Sequence, residues 1–331
     1  FDQIVILEDL VPPTVTIDCP DSATVYVDAA CNAAIDTAST GAATYTADDN
    51  CWLKSEALSY ADAVTDSTST GCYTIERTWT AMATDSCGNE NSATCSQTIM
   101  VMDNIAPTIA LACPGDYDVF VDEDCAADLD PASYAGPAFE GSDNCVLDSL
   151  SLSYADVVTD STSTGCYTIV RTWTGYAADA CGNDHTESCS QTISVKDNIK
   201  PDVTLTGPTN TTVYVDADCA ADLSTSNTGD ITVSYDDNCV LATSGATYAD
   251  AVTDSTSTGC YTIERTWTAS ATDACGNDST TTCTQTIMVM DNMKPSIDLT
   301  CPSTATVYVD ADCAADLSTS NTGAAQALFA D

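Results

Sequence analysis

The sequence predicts an all-β protein made of tandem β-sandwich domains stapled by disulfides, and three observations carry this prediction. One pattern of cysteines, aromatic residues and acidic turns recurs every 94 residues. Short runs rich in Val, Ile, Thr and Tyr alternate with polar residues, as half-buried strands do. No segment shows the 3.6-residue periodicity of an amphipathic helix. The chain has 331 residues and 19 cysteines, a density that suits an oxidising, extracellular compartment.

The repeat is clearest in the run Val-Tyr/Phe-Val-Asp, which occurs at 25–28, 119–122, 213–216 and 307–310. Residues 60–81 and 248–269 are identical over 22 positions. We divide the chain by this period. The parts are the last strand and linker of a preceding repeat (1–12), repeat 1 (13–106), repeat 2 (107–200), repeat 3 (201–294) and the opening part of repeat 4 (295–331). We expect the sequence to be a window from a longer array.

Charge limits the partners of this chain. It carries 7 Lys and Arg against 50 Asp and Glu, for a formal net charge of −43. Binding to nucleic acid or to an anionic membrane needs clustered cations, so we expect neither partner. No apolar run approaches the ~18 residues of a membrane-spanning helix, so we expect no membrane insertion. Such charge strains a compact state by self-repulsion, and bound divalent cations are the natural compensation.

Each repeat predicts about seven short strands joined by turns. In repeat 1 the clearest strand is 72–83, where Tyr73, Ile75, Arg77 and Trp79 face one way and the intervening polar residues face the other. Further strands and the loops between them are predicted from the same alternation. The other strands are 14–19, 24–28, 43–47, 53–60 and 93–102, and the longer loops are 29–42 and 66–71. This order is typical of immunoglobulin-like sandwiches, here placed end to end.

The repeat resembles a known family through a combination of motifs. Its frame runs Cys-Pro, Asp-Asn-Cys, Tyr-Thr-Ile-x-Arg-Thr-Trp-Thr, Thr-Asp-x-Cys-Gly-Asn, Cys-x-Gln-Thr-Ile and Asp-x-x-x-Pro. This frame is similar to the hyalin-repeat-like domains of giant surface adhesins of Bacteroidetes, such as gliding-motility adhesins exported by the type IX secretion system. The resemblance covers all three full repeats. It implies an immunoglobulin-like fold and a role in cell adhesion at the cell surface, and it identifies no ligand.

Spacing and strand direction organise the cysteines. Gaps of 12, 20, 21, 15 and 8 residues do not fit a zinc site, so we interpret the cysteines as disulfides. Because strand direction alternates, each repeat has a leading end, with the turns of Cys51 and Cys87, and a trailing end, with Cys31 and Cys72. For repeat 1 we predict the pairs Cys19–Cys95, Cys31–Cys72 and Cys51–Cys87. The same scheme predicts Cys113–Cys189, Cys125–Cys166, Cys145–Cys181, Cys219–Cys260 and Cys239–Cys275.

Repeat 3 breaks the cysteine pattern at one position. Gly207 stands where repeats 1 and 2 have Cys19 and Cys113. The sequence therefore predicts that Cys283, the equivalent of Cys95, is a free thiol. Cys301 and Cys313 are also expected to lack partners, because they belong to the opening part of repeat 4.

Acidic residues collect at the ends of the repeats, where linkers and turns meet. Calcium takes 6–8 oxygen ligands from carboxylates and amides and tolerates irregular geometry. We predict calcium at the junctions between repeats, with a solvated acidic surface as the alternative, because Asp is also common in turns. The candidate ligands are Asp9, Asp48, Asp49, Asp85, Asp103, Asn104, Asp143, Asp179, Asp197, Asn198, Asp236, Asp237, Asp273 and Asp291.

Residues that could suggest catalysis have structural interpretations. His185 is the only histidine, and the equivalent positions are Asn91 and Ser279. Glu76 becomes Val170 in repeat 2, which argues against a carboxylate-pair active site. The repeated arginines are predicted to stack on the neighbouring tryptophans or to pair with an acid (Arg77, Arg171 and Arg265). We therefore expect no enzymatic activity.

The Asp-Ser-Thr-Ser-Thr segments resemble Bacteroidetes O-glycosylation acceptor sites, with plain polar loops as the alternative, and the candidate acceptors are Ser67, Ser161 and Ser255.

Three functions stay open at this stage. The first is a stalk or filament segment of a secreted adhesin, whose partners are neighbouring repeats, other copies or surface polysaccharide. The second is a module that binds carbohydrate or ice. The third is a spacer of a large secreted enzyme.

Overall fold

The computed structural model describes residues 3–257 and 259–331 as tandem β-sandwich repeats of the all-β class. The chain divides into two compact units. The first comprises residues 1–120, 127–161 and 166–196, and the second comprises residues 121–126, 162–165 and 197–331. The first unit therefore holds repeat 1 and most of repeat 2, and the second holds repeat 3 and the opening part of repeat 4.

The strands of repeat 1 form two sheets. β1 and β3 make an antiparallel ribbon, and the other strands make a sheet in the order β2-β6-β5-β4, in which only β2 and β6 run parallel. The chain leaves the ribbon at Pro20, which cannot donate to a strand ladder. The strands are β1 (Thr14–Asp18), β2 (Ala23–Tyr26), β3 (Thr44–Asp48), β4 (Leu53–Ser69), β5 (Cys72–Asp85) and β6 (Glu90–Met102), with the short helix α1 (Thr37–Thr40) before β3.

The same arrangement recurs along the chain. Repeat 2 contains β7 (Thr108–Ala112), β8 (Tyr117–Phe120), a 3-10 turn (Pro131–Ser133), β9 (Ala138–Ser142), β10 (Leu147–Ser163), β11 (Cys166–Asp179) and β12 (Asp184–Lys196). Repeat 3 contains β13 (Asp202–Thr206), β14 (Thr211–Tyr214), α2 (Thr225–Thr228), β15 (Thr232–Asp236), β16 (Leu241–Ser257), β17 (Cys260–Asp273) and β18 (Asp278–Met290). The opening part of repeat 4 contains β19 (Ser296–Thr300), α3 (Thr319–Thr322) and β20 (Gln326–Ala330).

The core of each sandwich lies under the alternating face of its central strand. In β5, Ile75, Arg77 and Trp79 are buried while the residues between them are exposed or half-buried, as the alternation predicts. Ile75 packs with Val25, Val27, Ile99 and Val101 from β2, β6 and the residues beside them. The ribbon covers the rest of this face, because β1 packs against both β5 and β6.

Two predicted loops contain regular structure. β4 continues through Asp66 to Ser69, so residues 66–69 belong to a strand instead of a loop, and the repeat has six strands in the described part of the chain. The run is rich in Thr and Ser, which fit a pleated surface, and two register shifts after Val64 accommodate it. In the other loop, Asp36 caps the helix α1 by accepting hydrogen bonds from the N–H groups of Ala38 and Ser39.

One arginine is fully buried in each repeat. Arg77 is 0% exposed, and its guanidinium pairs with both oxygens of Asp62, at 2.7 and 2.8 Å. It also donates to Thr40 Oγ1 and to the carbonyl of Ile35, and it stacks over the Tyr60 ring at 4.2 Å. Arg171 and Arg265 have the same carboxylate and aromatic partners in their repeats. The predicted pairing with an acid is therefore correct, and the nearer aromatic ring is tyrosine.

Candidate cation site at the repeat junctions

The structure gathers carboxylates where one repeat meets the next. Asp103 follows β6 in the linker, Asp143 lies in the turn after β9, and Asp179 ends β11. In repeat 3, Asp197, Asp237 and Asp273 occupy the equivalent positions, and each offers an oxygen within 4.8 Å of the others. In repeat 2, oxygens of Asp103 and Asp179 lie within the same distance of each other. We name these groups the repeat 2 cluster (Asp103, Asp143, Asn144, Asp179) and the repeat 3 cluster (Asp197, Asp237, Asn238, Asp273).

Asp179 holds the turn between β11 and β12 in shape. Its Oδ1 accepts the backbone N–H groups of Cys181 and Asn183, at 2.8 and 2.9 Å. Its Oδ2 accepts the side-chain amide of Asn183 at 2.7 Å, and that amide also donates to the carbonyl of Asp103. Asp273 and Asn277 repeat these bonds around Asp197. The turn and the linker are therefore held together by hydrogen bonds within the protein itself.

Other oxygens of both clusters are buried without a hydrogen-bond partner. In repeat 2 they are Asp103 Oδ2, Asp143 Oδ1 and Asn144 Oδ1, and in repeat 3 they are Asp197 Oδ2, Asp237 Oδ1 and Asn238 Oδ1. The aspartates of the linkers are 3% and 6% exposed. An unpaired buried polar group costs about 1–3 kcal/mol, and a charged one costs more. Three unpartnered oxygens in each cluster are of the kind that a hard cation takes as ligands.

Charge repulsion inside the repeat 3 cluster is visible at Asp237. Burial raises the pKa of its carboxyl above the ordinary value, and the hydrogen bond from the backbone N–H of Cys239 only partly opposes this. The negative charges of Asp273, Asp197 and Asp236 raise this pKa further. A divalent cation would reverse this balance, because it favours the charged carboxylate.

The cluster at the leading end of repeat 1 differs from the other two. Asp9, Asp49 and Cys51 lie within 4.8 Å of one another, whereas the corresponding group in repeat 2 is Asp103, Asp179 and Cys181. However, the amide of Asn50 donates to Asp9 Oδ2 at 2.9 Å, so this oxygen has a partner. Asp49 Oδ1 is the unpartnered oxygen of this cluster. The amides of Asn144 and Asn238 donate to carbonyls of the preceding repeat, those of Asp28 and Asp122, and the amide of Asn238 also donates to Asp197 Oδ1 at 3.4 Å.

Several predicted ligands lie outside these clusters. Asp48, Asn104, Asn198 and Asp236 are exposed. Asp291 is half-buried and accepts the N–H of Met293 at 2.8 Å, and Asp85 is buried and accepts the N–H groups of its own turn. The predicted ligands did not include the single asparagine of each of two repeated motifs. Asn144, Asn183, Asn238 and Asn277 belong to the repeated Asp-Asn-Cys and Cys-Gly-Asn motifs, which were the available signal.

Two of the predicted disulfides are present within repeats. Cys19 is bonded to Cys95 with Cα atoms 5.9 Å apart, and Cys113 to Cys189 at 5.8 Å. In repeat 3, Cys283 is free, as the glycine at its partner position predicts. Cys301 and Cys313 are also free.

The other disulfides join neighbouring repeats, so that part of the pairing scheme is wrong. Cys31 is bonded to Cys145, Cys72 to Cys181 and Cys125 to Cys239, and Cys166 and Cys275 are also disulfide-bonded. The predicted pairs that the structure contradicts are Cys31–Cys72, Cys51–Cys87, Cys125–Cys166, Cys145–Cys181, Cys219–Cys260 and Cys239–Cys275. The cysteines pair across the junction because the ends of neighbouring repeats lie in contact there. A Cβ added at Gly71 of repeat 1 would lie 2.7 Å from Cys145 Sγ of repeat 2. The trailing end of repeat 1 thus touches the leading end of repeat 2.

Fold and site together define a class of protein. The chain is a tandem β-sandwich repeat protein with disulfides across its repeat junctions and acidic clusters beside those disulfides. No protein-family model and no curated protein matches the chain. Within the described residues, no helix is long and apolar enough to span a bilayer.

Solved structures with similar folds include cadherin ectodomains. "Protocadherin Gamma B2 extracellular cadherin domains 3-6" is 11% identical, with 90% of this chain and 77% of that chain covered and a TM-score of 0.26. Mouse Cadherin-23 EC22-24 is 12% identical, with 85% of this chain and 99% of that chain covered and a TM-score of 0.28.

Proposed function

We propose that this chain is a non-catalytic, extracellular structural segment that carries load between neighbouring repeats. The observation that carries the proposal is the disulfide between repeats, because Cys31–Cys145 and Cys72–Cys181 leave two adjacent sandwiches little freedom to hinge. Twelve cysteines are disulfide-bonded, which favours an oxidising compartment. In its finer form the proposal is a stalk or filament segment of a Bacteroidetes-type surface adhesin, which the motif resemblance supports.

We further propose that calcium occupies the repeat 2 and repeat 3 clusters. Asp103, Asp143 and Asn144 would hold it in repeat 2, and Asp197, Asp237 and Asn238 in repeat 3, through the oxygens that have no other partner. When bound, the ion supplies positive charge to a chain whose net charge is −43. The surrounding residues do the positioning, because Asp179 and Asp273 fix turns whose asparagines, Asn183 and Asn277, donate to the linker carbonyls of Asp103 and Asp197.

Two neighbouring aspartates allow a matched test of the calcium proposal. Asp237 is half-buried with an unpartnered oxygen, whereas Asp236 is exposed. We expect calcium to raise the melting temperature of the wild-type chain by several degrees, since a ligand at 100 times its Kd stabilises by about 2.7 kcal/mol. Asp237→Asn is expected to lose one of two binding events in calorimetry, and Asp236→Asn is expected to keep both. Equal melting in calcium and in chelator would contradict the proposal.

A second candidate function is favoured by one observation. The outer face of the repeat 3 sheet carries a ladder of hydroxyls, in which Thr266 pairs with Thr284 and Thr268 with Thr282. Such a face fits a hydroxyl-rich ligand such as carbohydrate or ice. A glycan array and an ice-affinity assay would test it, and we expect binding to weaken when Thr282 and Thr284 are replaced by lysine. If the chain binds neither a glycan nor ice, this second function is ruled out and only the structural function remains.

The glycosylation prediction has a direct measurement. Ser67, Ser161 and Ser255 lie on the exposed strands β4, β10 and β16 instead of in loops. Exposure keeps them accessible to a transferase. Peptide mass mapping across residues 66–70, 160–164 and 254–258 of the protein from its natural source would show the added sugar.

A further inference from the structure

The repeat 2 and repeat 3 clusters differ in how many carboxylates converge. In the repeat 3 cluster, all three aspartates offer an oxygen within 4.8 Å of the others. In repeat 2, the group that lies this close consists of Asp103, Asp179 and the Sγ of Cys181, which is already used in the disulfide with Cys72. Because calcium takes oxygen ligands, the repeat 3 cluster offers it one more converging group.

Both clusters contain a buried carboxylate oxygen without a partner. The linker aspartates Asp103 and Asp197 are 3% and 6% exposed. Their Oδ1 atoms accept the N–H groups of Ile105 and Ile199, each at 2.9 Å. Their Oδ2 atoms are buried and have no hydrogen-bond partner among the described residues. A cation stabilises a buried carboxylate oxygen of this kind, so each cluster points to a bound ion independently of its overall acidity.

The charges around the two clusters differ. A hollow of about 440 Å³ beside the repeat 3 cluster is lined by Asp237, Asn238 and four charged side chains. Three of the four are acidic and one is basic, so together they add a net charge of −2. The equivalent positions beside the repeat 2 cluster are all uncharged. The charged residues are Glu123, Lys200, Asp202 and Asp236, and their equivalents are Ala29, Ala106, Thr108 and Ser142.

Two of these carboxylates face each other directly. Asp202 lies opposite Asp236 in the ribbon of β13 and β15, and like charges in such a pair destabilise a sheet. In repeat 2 the same positions hold Thr108 and Ser142, whose hydroxyl oxygens lie 2.9 Å apart in a hydrogen bond. A cation in the adjacent cluster would offset the repulsion in repeat 3, whereas this pair of positions in repeat 2 has no repulsion to offset.

We infer that the repeat 3 cluster is the tighter of the two calcium sites, and that it fills at calcium concentrations at which the repeat 2 cluster is still empty. This inference rests on the proposed calcium function and adds an order of filling to it. Two additional negative charges near a divalent cation tighten its binding roughly tenfold in physiological salt. The chain therefore responds to calcium in two steps, one at each cluster.

Calorimetric titration of the full chain with calcium chloride tests the order of filling. The wild-type chain is expected to show two binding events whose Kd values differ roughly tenfold. Asp237→Asn is expected to remove the tighter event, and Asp143→Asn is expected to remove the weaker one. Two events of equal affinity, or loss of the tighter event in Asp143→Asn, would overturn this inference alone. The absence of any binding event would overturn the calcium proposal with it.

Moving the charges to repeat 2 tests the same inference by a gain of affinity. Thr108 and Ser142 are exposed, so Thr108→Asp/Ser142→Asp is expected to fold, with a melting temperature that falls in chelator and recovers in calcium. The weaker event is expected to tighten roughly tenfold. Thr108→Asn/Ser142→Asn is the uncharged control and is expected to keep both wild-type Kd values. An unchanged weaker event in the aspartate variant, or equal tightening in the control, would overturn the inference.

Discussion

The buried arginine of each repeat shows how a single residue organises a sandwich. Arg171 donates to both oxygens of Asp156, at 2.8 Å each, and to the carbonyl of Leu129 at 2.7 Å. These bonds tie β10 and the preceding loop to the central strand β11. The hydrogen bond to Asp156 is also the main reason that the pKa of Arg171 is raised. The pair is thus a structural clamp, and a charge this deeply buried is tolerated only because it is fully paired.

Removing this clamp should be costly. We expect Arg171→Met to lower the free energy of unfolding by about 2–4 kcal/mol, because Asp156 and the Leu129 carbonyl lose their partner. Lys196→Met is the matched control in the same repeat, since Lys196 and Asp118 are both about half exposed and such a pair contributes less than ~1 kcal/mol. Urea denaturation measures both variants. Equal losses would show that the arginine does not act as a clamp.

Cys51 offers a second prediction at the scale of one residue. Its thiol donates a hydrogen bond to Asp9, which together with desolvation and nearby negative charge raises the pKa to about 11. Because the thiolate is the nucleophile, alkylation of Cys51 by iodoacetamide should speed up about tenfold per pH unit until the pH nears that pKa. Asp9→Asn should lower the pKa toward 9.0 and accelerate alkylation at pH 8.

Glu8→Gln is the control for that measurement, because Glu8 is exposed and has no contact with the thiol among the described hydrogen bonds. We expect its alkylation rate to match the wild type. A pH profile with its midpoint near 9 in the wild-type chain would refute the assignment of Asp9 as the acceptor.

At the scale of elements, alternation along the strands predicted most of what is observed. The buried face of β5 follows from the alternation of buried residues such as Ile75 and Trp79 with polar ones. The same kind of alternation gave the approximate positions of β1, β2, β3 and β6. The extension of β4 was not predictable, because Asp66 to Ser69 are polar and typical of a loop. The strand continues there because β5 supplies a partner, with Asp66 opposite Thr74 and Ser67 opposite Tyr73.

The missing staple of repeat 3 can be restored. A Cβ added at Gly207 would lie 3.6 Å from Cys283 Cβ and 2.7 Å from its Sγ, which is the spacing of a disulfide. We expect Gly207→Cys to bond Cys283 and to stabilise the repeat by roughly 2–4 kcal/mol. Loss of a titratable thiol and a higher melting temperature would be the signals. Gly245→Cys, with no neighbour within 4 Å, should add a thiol without either effect.

At the scale of the whole molecule, the disulfides and the acidic clusters form one device. Asp143 Oδ2 accepts the N–H of Cys145, and Asp179 Oδ1 accepts the N–H of Cys181. Both cysteines are bonded to the preceding repeat. The disulfides therefore hold the turns that carry the candidate ligands, and they keep Asn144 beside the carbonyl of Asp28 at 3.3 Å.

Breaking one inter-repeat disulfide should weaken calcium binding. In Cys31→Ser/Cys145→Ser, the amide of Asn144 is expected to turn to Asp103, as Asn50 does to Asp9, and to occupy a ligand oxygen. A competing hydrogen bond of about 1 kcal/mol predicts a loss of roughly fivefold in affinity for the repeat 2 cluster. Cys19→Ser/Cys95→Ser removes a disulfide inside repeat 1 and should leave the affinity unchanged. Calorimetry compares the calcium affinities of the two variants. Equal affinities would show that the disulfide between repeats does not support the calcium site.

The sequence by itself determined the 94-residue period, the alternating strands, the acidic turns and the free thiol of Cys283, because each is local or follows from counting. It also placed Cys31 and Cys72 at the same end of a repeat. Only the tertiary structure decided that these cysteines bond forward to Cys145 and Cys181 instead of to each other. The physical reason is that a disulfide needs Cα atoms about 5–6 Å apart, and linker length and packing at a junction set that distance. The same packing decided which amide and carboxylate oxygens lack a partner.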